Sequence, residues 1–205
     1  MHAIKVHTGG LFQTNAYAVP SPSGKWLLLD APEGVVDWAK REGWDVAGLL
    51  LTHGHLDHIE EAAAVQREFE CPVYYHRDGI CFLQDRDAFR RYGLDVDLEP
   101  VTGGELIDEA ERLEIEGVTF QTLLVPGHCP GSLCFFRSED RVLYAGDTIF
   151  AGSIGRTDLP FGDHDLLIRG IREKLFPLGD DVRVLPGHGP ATTIGVERKT
   201  NPFLI

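Results

Sequence analysis

A mixed α/β fold follows from three features of this 205-residue sequence. Short apolar runs with strand character recur along it, among them Trp26-Leu27-Leu28-Leu29, Ala47-Gly48-Leu49-Leu50-Leu51 and Leu123-Leu124-Val125. Segments with apolar residues at helical spacing lie between several of them. Four of the apolar runs are followed, within about one turn of chain, by a residue able to bind a metal.

Residues 3 to 30 read as an antiparallel opening: Ile4-Lys5-Val6-His7, then Leu11 to Val19, a turn at Pro20-Ser21-Pro22-Ser23-Gly24, and the strand Trp26 to Asp30. His2 and His7 read as surface or strand histidines. Residues 33 to 42 read as a short helix leading to the strand 47–51. Ile59, Ala62, Ala63 and Phe69 then predict a helix over 58–69. Val73-Tyr74-Tyr75 is a short strand. Residues 77 to 100 are charged and mixed, expected as a helix with a loop. Gly103-Gly104 and the acidic run Asp108 to Glu116 lead into a strand-rich second half. There Leu167, Ile171 and Leu175 mark one helix face, with Asp163 as its cap and Pro177 as its stop.

The chemistry concentrates in Thr52-His53-Gly54-His55-Leu56-Asp57-His58. In an extended turn His53 and His55 point to one side, because side chains alternate with a period of two, while Asp57 and His58 can diverge. That spacing can serve two neighbouring metal ions, and imidazole with carboxylate suits zinc, iron(II) and manganese. A polar loop rich in histidine is the competing reading. Repetition weighs against it. Leu123-Leu124-Val125 is followed by Pro126-Gly127-His128, Val142-Leu143-Tyr144 by Ala145-Gly146-Asp147, and Val182 to Leu185 by Pro186-Gly187-His188. Glycine lets the chain turn tightly there, and a rigid sheet fixes what its strand ends carry. The pattern places seven ligand-type residues at one edge of a sheet. His76 and His164 lack the strand-end context and read as surface residues, and Tyr144 as core.

Composition narrows the function classes. A length of 205 residues with 43% hydrophobic content fits one domain over 1–205. No secretory signal or membrane-length apolar run is present, so the expected location is the cytoplasm. The cysteines Cys71, Cys81, Cys129 and Cys134 form no CxxC pair and read as reduced thiols. A net charge of −13 argues against a nucleic-acid groove.

His53-x-His55-x-Asp57-His58 followed by His128, Asp147 and His188 resembles the metallo-beta-lactamase fold superfamily over essentially the whole chain. The resemblance implies a four-layer αββα sandwich with two mixed sheets inside. It gives His53, His55 and His128 to a first metal, Asp57, His58 and His188 to a second, and Asp147 to both. The cofactors implied are two divalent ions, zinc first, with iron or manganese as alternatives. Gly146-Asp147-Thr148-Ile149-Phe150, Gly155-Arg156-Thr157-Asp158 and Glu197-Arg198-Lys199-Thr200-Asn201-Pro202-Phe203 look most like the short glyoxalase II-like hydrolases, which cleave S-D-lactoylglutathione. Larger members carry a C-terminal helical region that grips glutathione, where this chain has 17 residues after His188 (205 minus 188). Exported metallo-beta-lactamases place Cys at the position of Asp147. Persulfide dioxygenases share the Gly-Arg-Thr-Asp pattern and hold one iron(II) through positions matching His53, His128 and Asp147.

The expected activity is thioester hydrolysis of a small molecule by a metal-bridging hydroxide. Metal binding lowers the pKa of water toward about 7, and Asp57 is placed to orient the nucleophile. A thiol of pKa about 8.5 can leave as thiolate without a general acid. Arg156 is the candidate contact for an anionic part of the substrate, with pairing to Asp158 as its structural alternative; Arg198 and Lys199 could contact a carboxylate or be solvated. The alternatives are an iron-dependent persulfide dioxygenase and a non-catalytic metal-binding module.

Overall fold

The computed structural model describes residues 3–85, 87, 89–93 and 95–205. These cluster into two compact units, one from the chain up to Ile107 with Ile115–Val118, the other from Asp108–Glu114 with Thr119–Ile205.

The first unit holds a six-stranded sheet in sequential order, β1 (Lys5–Gly9), β2 (Thr14–Pro20), β3 (Trp26–Leu29), β4 (Val46–Leu50), β5 (Val73–His76) and β6 (Glu105–Ile107). β1, β2 and β3 are antiparallel neighbours, as the opening predicts, and β3 to β6 are parallel. Parallel neighbours need a crossover. Helix α1 (Val35–Glu42) supplies it between β3 and β4, burying Val35, Val36, Trp38 and Ala39. Leu27, Leu28, Leu29, Leu49 and Leu50 are fully buried, the continuous apolar pattern of strands covered on both faces.

The helix expected over 58–69 is two helices, α2 (Leu56–Ile59) and α3 (Ala62–Phe69). Ala31 causes the break. Its N–H donates to His58 O at 2.7 Å and its carbonyl accepts from Glu61 N–H at 2.8 Å. Both groups would otherwise serve the i to i+4 ladder. Helix α2 also begins at Leu56, two residues before the expected start, so Asp57 lies in the helical turn with His58. His76 is a second correction: it is buried at the end of β5, where its Nδ1 accepts from Asp78 N–H at 3.2 Å. Residues 77–100 include helix α4 (Ile80–Gln84), two short 3₁₀ turns, and Phe82, Leu83, Phe89 and Leu98 turned into the core. His2 lies outside the described residues; His7 is in β1 and stacks on Trp38.

The second sheet runs β14-β13-β10-β9-β8-β7. Its members are β7 (Ala110–Ile115), β8 (Val118–Leu124), β9 (Leu133–Arg137), β10 (Val142–Gly146), β13 (Arg183–Pro186) and β14 (Thr192–Thr193), with β11 (Ile149–Phe150) and β12 (Ser153–Ile154) forming a separate hairpin. The acidic run is thus mostly strand. β8 and β10 both pair antiparallel with β9, and β10 pairs parallel with β13. The C-terminal ends of β8, β10 and β13 therefore share one edge. That edge carries three of the four strand ends singled out in the sequence; the fourth, β4, belongs to the other sheet. Helix α5 (His164–Gly170) is capped by Asp163, whose Oδ1 accepts from Leu166 N–H, and continues through a π-type segment so that Leu167, Ile171 and Leu175 are fully buried. His164 is exposed, as expected. Helix α6 (Ile194–Thr200) closes the chain. Cys71, Cys129 and Cys134 are free and buried, and burial pushes the Cys71 and Cys134 thiols up to about 11 and about 12; the Cys81 side chain is outside the described set. Among the described residues no helix is long and apolar enough to cross a membrane.

Candidate metal centre

In the first unit the site begins where β4 ends. Asp30, immediately after β3, is the organising group: one carboxylate oxygen accepts from Thr52 N–H at 2.8 Å, and the other from the Thr52 hydroxyl and His58 Nδ1, both at 2.8 Å. Asp30 is 3% exposed and takes the left-handed conformation, φ 62°, which aspartate tolerates better than most residues. Because the Thr52 hydroxyl proton goes to Asp30, its oxygen accepts from His53 Nδ1 at 3.0 Å. His53 and His58 are thereby set as Nδ1–H tautomers, which leaves Nε2 of each as the nitrogen able to bind a metal. The Thr14 hydroxyl donates to Asp57 Oδ2 at 2.6 Å, fixing that carboxylate from β2. Gly54 is packed on Phe82, so a Cβ there would stand 2.9 Å from the ring.

In the second unit His128, Asp147 and His188 come from the ends of β8, β10 and β13. His128 Nδ1 donates to Arg156 O at 2.8 Å, again turning Nε2 to the ligand side. Asp147 Oδ2 lies 3.6 Å from His128 Nε2 and 3.3 Å from His188 Nε2. Two glycines permit this approach. Gly127 has φ 124°, and a Cβ there would lie 2.5 Å from Leu167 N; a Cβ on Gly155 would lie 1.9 Å from Asp147 O and 3.0 Å from the His128 ring.

Among the described residues three sets offer one ligand atom each, all within 4.8 Å of one another: His53, His55 and His128; His53, His58 and Asp147; and Asp57, His58 and His188. All seven ligand candidates read from the sequence fall in these sets. The donor chemistry fits a divalent transition metal. Two nitrogens at about 2.0–2.1 Å from one tetrahedral ion stand about 3.3 Å apart, and His53 Nε2 and His55 Nδ1 are 3.1 Å apart.

Arg156 turns to Asp158 through two bonds of 2.8 and 2.7 Å, and this pairing holds the Asp158 carboxyl down at about 2. Arg198 and Lys199 both face Asp180, at 3.1 and 3.8 Å. The sequence reading missed Asp30, Thr14 and Gly155. Asp30 was within reach, since it follows Leu27-Leu28-Leu29 as His53 follows Leu49-Leu50-Leu51. Thr14 acts on Asp57 from 43 residues away, and the role of Gly155 rests on its packing against Asp147 and His128.

A model of the metallo-beta-lactamase superfamily matches residues 9–188. Hydroxyacylglutathione hydrolase GloC of Haemophilus influenzae is 42% identical over 163 residues, 76% of this chain and 74% of that protein. Among solved structures, BLEG-1 B3 metallo-beta-lactamase aligns with a TM-score of 0.91 at 37% identity, covering 98% of this chain and 99% of that one. TTHA1623 in a di-iron-bound form aligns with a TM-score of 0.85 at 35% identity, covering 98% and 100%. The expected α/β sandwich with two mixed sheets is the fold these comparisons support.

Proposed function

The chain belongs to the metallo-beta-lactamase superfamily, and from that premise we propose that it is a metal-dependent hydrolase of the glyoxalase II kind, cleaving a thioester such as S-D-lactoylglutathione. The observation that carries the reading is the second ligand set, Asp57, His58 and His188, gathered within 4.8 Å in addition to the set of His53, His55 and His128. The kinship with a hydroxyacylglutathione hydrolase at 42% identity supports the substrate class.

In this reading His53, His55 and His128 would hold one divalent ion, Asp57, His58 and His188 the other, and Asp147 both. Zinc is the first choice and iron or manganese the alternatives, with a di-iron relative on record. Bound there, the ions would supply Lewis acidity and lower the pKa of water toward about 7. The chain's own residues do the rest. Asp57, steadied by the Thr14 hydroxyl, orients the attacking water from a fixed carboxylate. The Nδ1 bonds of His53, His58 and His128 lock three imidazoles in ligating tautomers before any ion arrives. A thiolate leaving group needs no proton, so a site without an assigned general acid suits a thioester better than an amide. Arg156, exposed at the end of the Asp147 to Gly155 segment, is proposed to meet an anionic part of the substrate in competition with Asp158. We assign the chain a small-molecule role away from nucleic acid on its net charge of −13, and propose the cytoplasm as its location.

The test is turnover of S-D-lactoylglutathione with oxygen excluded, followed by release of the free thiol. Hydrolysis that is undiminished without oxygen and abolished by chelator is the expected result. Oxygen uptake with glutathione persulfide and no thioester turnover would instead make the protein an iron dioxygenase. Turnover of β-lactam amides alone would align it with its B3 relative.

A further inference from the structure

The closing motif Glu197 to Phe203 contributes nothing to the ligand sets, yet two of its side chains are deeply buried, Glu197 at 1% exposure and Asn201 at 0%. Among the described residues, every group bonded to the Glu197 carboxylate is neutral. Oε2 accepts from Gly152 N–H and from Asn201 Nδ2, both at 2.8 Å, and Oε1 accepts from the Thr192 hydroxyl at 2.5 Å. Asn201 spends its other amide hydrogen on Ser153 O at 2.9 Å, and its Oδ1 accepts from Phe203 N–H at 3.1 Å. That pattern fixes which way the amide faces.

Both side chains grip the same element, the β11–β12 hairpin, through Gly152 and Ser153. A two-stranded hairpin is marginally stable by itself. This one starts directly after Asp147-Thr148 and ends at Gly155-Arg156. Its base is tied by Gly155 N–H to Thr148 O at 3.3 Å, and just beyond it Arg156 O receives His128 Nδ1. Gly155 also presses on the Asp147 carbonyl, closely enough that a Cβ would meet it at 1.9 Å. A shift of the hairpin therefore moves the support of Asp147 and the acceptor that orients His128 together. Burying a carboxylate is a costly way to obtain stability alone, since well-packed apolar groups commonly do as well or better.

We infer that Glu197 and Asn201 are positioning residues for the metal centre, acting through the 149–154 hairpin on Asp147 and His128. The inference rests on the metal-centre reading above. Its test is the cobalt(II) affinity of purified, folded apo protein, measured by chelator competition and by the visible absorption of the bound ion, independent of any turnover. Glu197→Ala is expected to weaken cobalt binding about 10- to 100-fold, the loss typical of outer partners of metal ligands, and to change the absorption band. Glu197→Gln keeps an oxygen for Gly152 N–H and Asn201 and a donor for Thr192, and is expected within about threefold of wild type. If Glu197→Ala does not fold, Asn201→Ala carries the same test, with about a tenfold loss expected. Wild-type affinity and spectrum in either folded alanine variant overturn the inference. A wild-type protein that binds no cobalt overturns the metal-centre reading instead.

Discussion

The two sources of ligand-type side chains are built differently. Four of the seven lie within six residues, His53 to His58, on the short loop after β4 and the helical turn α2 that follows it, and one buried carboxylate, Asp30, fixes that segment by hydrogen bonds to Thr52 and His58. The other three come singly from the ends of β8, β10 and β13, and close packing holds them: Gly127 against α5, and Gly155 against Asp147 and His128. A compact motif can be steadied by one polar hub. A dispersed set needs its whole sheet edge and the turns around it.

The sharpest way to break this contrast is to remove the hub. Asp30→Ala leaves three buried donors without their acceptor, which should cost about 3 kcal/mol or more in urea unfolding of the apo protein. An unchanged midpoint would show that the loop is held by something else. Gly155→Ala attacks the dispersed set. Its Cβ must displace the Asp147 backbone, and the expected loss is about 1–3 kcal/mol from overpacking, with weakened metal binding. A Gly155→Ala protein as stable and as metal-competent as wild type would remove close packing from the account.

Asp158 gives the smallest expected effect. The hydrogen bond and charge of Arg156 hold its carboxyl at about 2, below the ordinary value of about 3.9. A depressed folded-state pKa means that the contribution is complete above the unfolded value and disappears as pH falls through about 2. Asp158→Asn should therefore lower the urea midpoint slightly near neutral pH, and the two proteins should converge near pH 2. The pair is exposed, so the difference is small throughout. A difference that grew on acidification would contradict the pairing.

What the sequence disclosed follows the same division. The ligand candidates from His53 to His58 are close together in the chain, so their spacing is visible directly. His128, Asp147 and His188 could be read because an apolar strand precedes each, and the sheet converts that local pattern into a shared edge. The helix break at Glu60 could not be read, because it depends on Ala31 taking two backbone bonds from 27 and 30 residues away. His76 was misplaced because strand-end burial at β5 depends on neighbouring strands rather than on its own segment. The clamp of Glu197 and Asn201 on Gly152 and Ser153 spans nearly 50 residues, and no local pattern announces it.

Metal content tests the central claim most directly. Protein purified without added metal and then loaded should carry about two divalent ions per chain, and Asp147→Ala should lose bound metal together with thioester turnover. Wild-type metal content in Asp147→Ala, or a single tightly held iron in the wild type, would contradict a two-metal hydrolase.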